Sequence, residues 1–139
     1  MKLEIDPQLQ KVIDLSWFTI DPGVYAYTRV KKVINPDKHL IITRDSDEIT
    51  VVTDLINLDS LGAYERNDEN WKLINIRCGN PFYCVGFLAA ISSQTALNGL
   101  DITMTSTYTN DYIMVKEDEM VKCIELLIEL GFQKRDKRD

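Results

Sequence analysis

The hydrophobic period of this chain switches from two to helical, back to two, and to helical again between Trp71 and Gly131, and that alternation limits the folds it can take. Trp71-Lys72-Leu73-Ile74-Asn75-Ile76-Arg77-Cys78 alternates, with Ile74, Ile76 and Cys78 on one face, as a strand does. Gly79-Asn80-Pro81 follows, where Asn is a favoured N-cap and Pro a favoured first helical residue. The pattern predicts a helix from Pro81 to about Asn98, with a core stripe of Cys84, Phe87, Leu88 and Ile91 and small residues Gly86, Ala89 and Ala90 for close approach to a sheet. Gly99 supplies its left-handed stop. Asp101 to Ser106 reads as a strand, Thr107 to Asn110 as a turn, and Asp111 to Val115 as the returning strand. A second helix begins in Glu117-Asp118-Glu119, acids that complement the positive end of a helix dipole, and ends at Gly131. Its core face is Met120, Ile124, Leu127 and Ile128.

The order β-α-β-β-α, with one apolar face on each helix, predicts an α+β, ferredoxin-like fold with both helices on one face of an antiparallel sheet. Its last strand is missing or very short after Phe132, so the first half of the chain is expected to supply one. That half is strand-rich. Val24 to Val30 follows the turn signal Asp21-Pro22-Gly23, and His39 to Thr43 and Ile49 to Thr53 flank a polar break as a hairpin does. Leu9, Val12 and Ile13 mark one short N-terminal helix, and residues 57–70 read as a connector. The expected division is an N-terminal unit over 1–66 and a C-terminal unit over 67–139, closed by a charged tail.

Charge and cysteine use narrow the function. Lys and Arg number 16 against 22 Asp and Glu, a net charge of −6, which opposes non-specific nucleic-acid binding. The longest apolar run, Phe82 to Ile91, is ten residues, half of what a bilayer span needs. The first residues lack the apolar core of a signal peptide. Cys78, Cys84 and Cys123 have no CxxC spacing and, with the single His39, make no recognisable zinc set. Free thiols without an export signal predict a reducing, cytoplasmic location, no metal and no cofactor. The cysteines fall at a strand end or on helix core stripes, where a thiol is inert, and Ser106 lacks a nucleophile elbow, so no enzyme is expected.

Several segments resemble a known family. Thr43 to Val52 resembles the hairpin of tandem-ACT proteins, as does the order Trp71, Gly79-Asn80-Pro81-Phe82, Gly86-Phe87-Leu88-Ala89. Ser106-Thr107-Tyr108-Thr109-Asn110-Asp111-Tyr112-Ile113-Met114-Val115 is similar to a signature of small bacterial ACT proteins and the related CASTOR-type arginine sensors, with Asn110 in place of the usual Thr. The resemblance spans roughly residues 9–132. It implies two ACT units side by side in a regulatory amino-acid-binding protein, commonly extended by dimerisation. It does not name a protein target.

A physical reading of the same residues gives a candidate site. A helix starting at Pro81 would leave the Phe82 and Tyr83 amides free for a carboxylate, with Gly79 and Asn80 allowing close approach. Asp111 would receive an α-ammonium beside Thr107. The match to the arginine sensors carries over to Thr107, Tyr108 and Asp111 in one unit, and to Asp101 and Ile102 in the facing strand of another copy. A homodimer with ligand near its interface is therefore expected. Each residue also has a plainer reading: Gly79-Asn80-Pro81 as a tight turn, Asp111 as a hairpin cap, Thr107 and Tyr108 as turn and surface residues. Tyr25, Tyr27 and Trp71 read as packing, Arg44 with Asp47 or Glu48 as a solvated hairpin pair, and His39 as an edge residue. The same fold with an empty site, acting through its dimer surface, is the competing expectation.

Overall fold

The computed structural model describes residues 3–80 and 82–136. Its helices and strands run, in chain order, α1 (Pro7–Asp14), β1 (Trp17–Ile20), β2 (Tyr25–Val30), β3 (Ile41–Arg44), β4 (Ile49–Asp54), β5 (Glu65–Arg66), β6 (Trp71–Arg77), α2 (Phe87–Leu97), β7 (Ile102–Ser106), β8 (Asp111–Lys116), α3 (Met120–Leu130) and β9 (Gln133–Lys134). They form two compact units, residues 1–21 with 72–139 and residues 22–71. These units are cut differently from a boundary at 66/67: the first twenty-one residues pack with the C-terminal half.

The larger unit is the β-α-β-β-α run plus a borrowed strand. Strand β8 lies between β7 and β6, and β1 lies between β6 and β9. Strand β1 runs antiparallel to β6, pairing Trp17 with Arg77 and Ile20 with Ile74. It takes the place of the strand missing after Phe132. The two-residue β9 then adds to the other side of β1 in parallel, pairing Trp17 with Gln133. This completes a ferredoxin-like α+β sheet, as the alternation predicts.

Its core gathers Leu9, Val12 and Ile13 of α1, Phe18 of β1, Ile74 and Ile76 of β6, Phe87 and Ile91 of α2, Ile113 and Val115 of β8, and Met120, Cys123, Leu127 and Leu130 of α3. Phe87 meets Phe132 edge to face, 5.5 Å between ring centroids. Helix α1 forms because Asp6 caps it, its carboxylate accepting from the amides of Gln8 and Leu9, and because Pro7 stands where no donor is needed. Glu117–Glu119 makes a 3-10 turn before α3, and Gly131, at φ 118°, ends that helix. Ile128 on α3 is exposed, while Leu126, not foreseen, is buried.

The larger correction concerns α2. It starts at Phe87, not Pro81, with Gly86 as its N-cap at φ 82°. A residue in that left-handed conformation cannot continue a helix, so residues 82–86 turn instead. Gly86, read as a packing glycine, is the start signal. Pro81 lies outside the described residues.

In the smaller unit, β3 and β4 form the expected hairpin, Ile41 opposite Val52 and Arg44 opposite Ile49. Its turn is fixed by Asp45, whose carboxylate accepts from the amides of Asp47 and Glu48 at 2.7 and 2.8 Å, which holds its pKa below the usual range. Strand β4 continues antiparallel to β2, and β5 pairs β2 through Arg29 and Glu65. Val30, Ile49, Val51 and Leu61 make a small core. The segment read as a connector holds a 3-10 helix, Leu55–Leu61, whose first turn is capped by Asp54 accepting from Ile56, and then β5. Tyr27 packs on Trp71 with ring centroids 5.4 Å apart, the packing role expected for both.

Candidate functional site

Strand β6 delivers the chain into a turn that its neighbours hold tightly. The Gly79 amide donates to Ser16 Oγ at 2.8 Å. A Cβ on Gly79 would stand 2.5 Å from the Leu15 carbonyl oxygen, so the backbones meet where no side chain fits. That contact accounts for the glycine without a ligand. Asn80 then organises the turn. Its Oδ1 accepts from the Phe82 amide at 3.1 Å, and its carbonyl accepts from the Tyr83 amide at 3.0 Å. The Phe82 and Tyr83 amides are therefore already engaged and are not a free anion cradle, because the helix that would have exposed them begins later. The helix start that exists, at Gly86-Phe87, carries no side-chain cap.

Both thiols of this segment point at the same carbonyl. Cys78 Sγ and Cys84 Sγ lie 3.2 and 3.1 Å from the Asn80 oxygen and 2.7 Å from each other. Burial pushes the Cys84 thiol up to about 12, reinforced by the hydrogen bond and charge of Cys78 and then by the charge of Asp111. The sequence reading treated these cysteines singly. The signal it passed over is their placement on either side of one Gly-Asn-Pro turn.

Across from this turn, the β7–β8 hairpin closes with Ser106 opposite Asp111. Ser106 Oγ donates to Asp111 Oδ1 at 2.6 Å. The Thr107 amide donates to the Asn110 carbonyl at 2.8 Å, and the Asn110 amide donates to Thr107 Oγ1 at 3.1 Å. Thr107 thus spends its hydroxyl on the turn, and Asn110 is buried beneath it. Tyr108 at the tip is wholly exposed, and so, nearly, is Phe82.

Of the expected residues, the fold brings Asn80 and Asp111 to one end of the larger unit, where the Asp111 charge reaches Cys84. It does not bring Asp101 and Ile102 there. Ile102 pairs with Val115 at the opposite end of the hairpin, four residues and about 14 Å along β7 from Ser106.

The smaller unit holds a groove of about 900 Å3, lined among others by Arg29, Lys31, Lys32, Arg44, Glu48 and Glu65. Arg29, not Arg44, makes its ion pairs, with Glu48 at 3.6 Å and with Glu65, which holds its pKa above the usual value. The pairs are exposed and worth little. His39 is half-buried, with Nδ1 on Thr53 Oγ1 and Nε2 on the Ile34 carbonyl. Among the described residues no group of three His, Cys, Asp or Glu could hold a metal ion, and no helix is long and apolar enough to cross a membrane.

The fold and this turn place the chain among ferredoxin-like α+β proteins with a shaped strand-to-helix junction. Residues 66–129 match the family model of the ACT domain. Among solved structures, the chain is similar to a protein of unknown function from Vibrio cholerae, described as a possible transport protein, at 18% identity and a TM-score of 0.78 over 89% of this chain and 96% of that one. It is similar to a protein from Agobacterium tumefaciens at 20% identity and a TM-score of 0.69 over 89% and 95%. A domain described as a C-terminal regulatory domain of aspartate kinase from Porphyromonas gingivalis matches at 14% identity and a TM-score of 0.54 over 86% and 99%. At these identities the likeness is one of fold. No curated protein matches the chain.

Proposed function

We propose that this chain is a non-catalytic regulatory module, two ACT-type units to a chain, that binds an amino acid beside Asn80 and Asp111 and acts as a homodimer. The observation that carries the reading is that the Asp111 charge reaches Cys84, three residues before the first residue of α2, a helix start with no side-chain cap. A carboxylate facing the positive end of a helix supplies opposite charges to the two ends of a zwitterion. In this form the ligand carboxylate is drawn by the positive end of α2 rather than by single amides, since the Phe87 amide, like those of Phe82 and Tyr83, is engaged, donating to the Cys84 carbonyl at 3.0 Å. The match of residues 66–129 to the ACT domain, and the likeness to a regulatory domain of aspartate kinase, support a regulatory role. Asp101 and Ile102, at the far end of the hairpin, would then reach a ligand only from a second copy. The residues that would touch ligand remain those around Gly79, Asn80, Phe82, Thr107, Tyr108 and Asp111, with an acidic Asp101 suited to an ammonium-bearing side chain. Catalysis is not part of the proposal: Cys84 and Cys123 are each pushed up to about 12, and His39 spends both ring nitrogens on its own unit.

The test is thermal denaturation against a panel of amino acids. A ligand at about 100 times its dissociation constant should stabilise the chain by roughly 2.7 kcal/mol. Asp111→Ala should erase that shift while the variant keeps its fold. Light scattering should give a mass near twice 16.0 kDa. Absence of any shift at millimolar amino acid would favour the second reading, an interaction module without ligand. One observation supports that reading: Phe82 and Val85 on the β6–α2 turn and Tyr108 at the tip of the β7–β8 hairpin are strongly exposed.

A further inference from the structure

We propose that Cys78 and Cys84 form a reversible intramolecular disulfide, which makes the β6–α2 turn a modification site for small-molecule disulfides. The inference is independent of any ligand at Asp111. It rests on the two sulfurs standing 2.7 Å apart and both aiming at the Asn80 carbonyl, so neither has to swing out of a separate environment to meet the other. A further approach of about 0.6 Å brings them to covalent length. The turn is pinned on its β6 side by the Gly79 amide on Ser16 and by the backbone contact with Leu15. Both cysteines are partly exposed, so a small disulfide reaches them, whereas Cys123 is fully buried on α3 and stands apart from the exchange.

The chemistry is thiol–disulfide exchange. One cysteine, as thiolate, attacks a small disulfide RSSR. A mixed disulfide forms, and RS− leaves and takes up a proton. The second cysteine loses its proton to solvent and attacks the first sulfur, which expels the second RS−, again protonated from water. Two protein thiols are oxidised to one disulfide, and RSSR is reduced to two RSH. A small dithiol runs the sequence backwards. Oxidation removes both S–H groups from the Asn80 carbonyl and closes a ring over residues 78–84, the segment that leads into α2.

The experiment uses the full, reduced chain in mixtures of oxidised and reduced glutathione, quenched with acid, denatured and alkylated, then read by intact mass and peptide mapping. Two of the three thiols should escape alkylation, the chain should be two hydrogens lighter, and the mapped link should join Cys78 to Cys84 with Cys123 free. Dithiothreitol should restore all three. Cys78→Ser and Cys84→Ser should each give one glutathione adduct on the remaining partner. The native chain should close the bond at least about tenfold more favourably than the same chain in denaturant, because the fold sets the effective concentration of one thiol at the other. Three alkylated thiols, stable double glutathione adducts, a link to Cys123, or equal closure in native and denatured chains would each overturn the proposal. The wild-type measurements decide it even if a variant fails to fold.

Discussion

Gly79 and Leu15 approach so closely that a methyl group on the glycine α-carbon would meet the Leu15 carbonyl oxygen at 2.5 Å. The obstructing atoms are mainly backbone, so they cannot rotate away. Gly79→Ala should therefore destabilise the chain by about 1–3 kcal/mol through overpacking. Urea denaturation measures it. A variant as stable as the parent would show that the turn does not sit against the α1–β1 junction.

Phe18 tests the borrowed strand. It is fully buried on β1 among residues of α1, α2 and α3. Phe18→Ala should cost about 3–5 kcal/mol. A loss below about 1 kcal/mol would mean that β1 is dispensable to the larger unit.

Asp6 tests how α1 is held. Its carboxylate accepts from two amides of the first turn, at 3.0 and 3.3 Å. Asp6→Ala should cost about 1 kcal/mol, the usual value of an N-cap. Because Leu9, Val12 and Ile13 enter the common core, the loss should appear as a shift of the whole unfolding transition, not as local fraying.

Asp111 gives a pH prediction. The Cys84 thiol is raised to about 12 by burial, then by Cys78, then by the Asp111 charge. Each of these disfavours the thiolate. Asp111→Asn removes one negative charge, the smallest of these causes, so the pKa should fall and alkylation of Cys84 near pH 8 should speed up by less than about tenfold, the change one full pKa unit would bring. In the parent, the rate should keep rising with pH well past 9. Identical rate–pH profiles for parent and variant would detach Asp111 from this turn.

The alternation from Trp71 to Gly131 carried the β-α-β-β-α order because period and punctuation agree there: Gly99 and Gly131 both end helices at positive φ. The empty place after Phe132 was legible as an absence, but the strand that fills it, β1, was not among those read in the first half, because Trp17–Ile20 is only four residues long. The start of α2 was not legible. Asn80 does cap, but it caps a turn, and only the left-handed backbone of Gly86 reveals where the helix begins. That single displacement removed the amides on which the carboxylate site was built, while Asp111 and its hairpin stayed where the sequence placed them. The dithiol escaped notice because cysteine spacing was compared with metal and CxxC patterns, and neither describes two thiols folded back around one carbonyl.

The pairing of Trp17 with Arg77 joins positions sixty residues apart, so the larger unit is assembled from both ends of the described chain. On a ribosome adding roughly 5–20 residues per second, β1 waits about 3–12 s for β6 to be made. Until then its Phe18 has no permanent shelter, and the nascent chain carries an unsatisfied edge that chaperones or premature partners meet first.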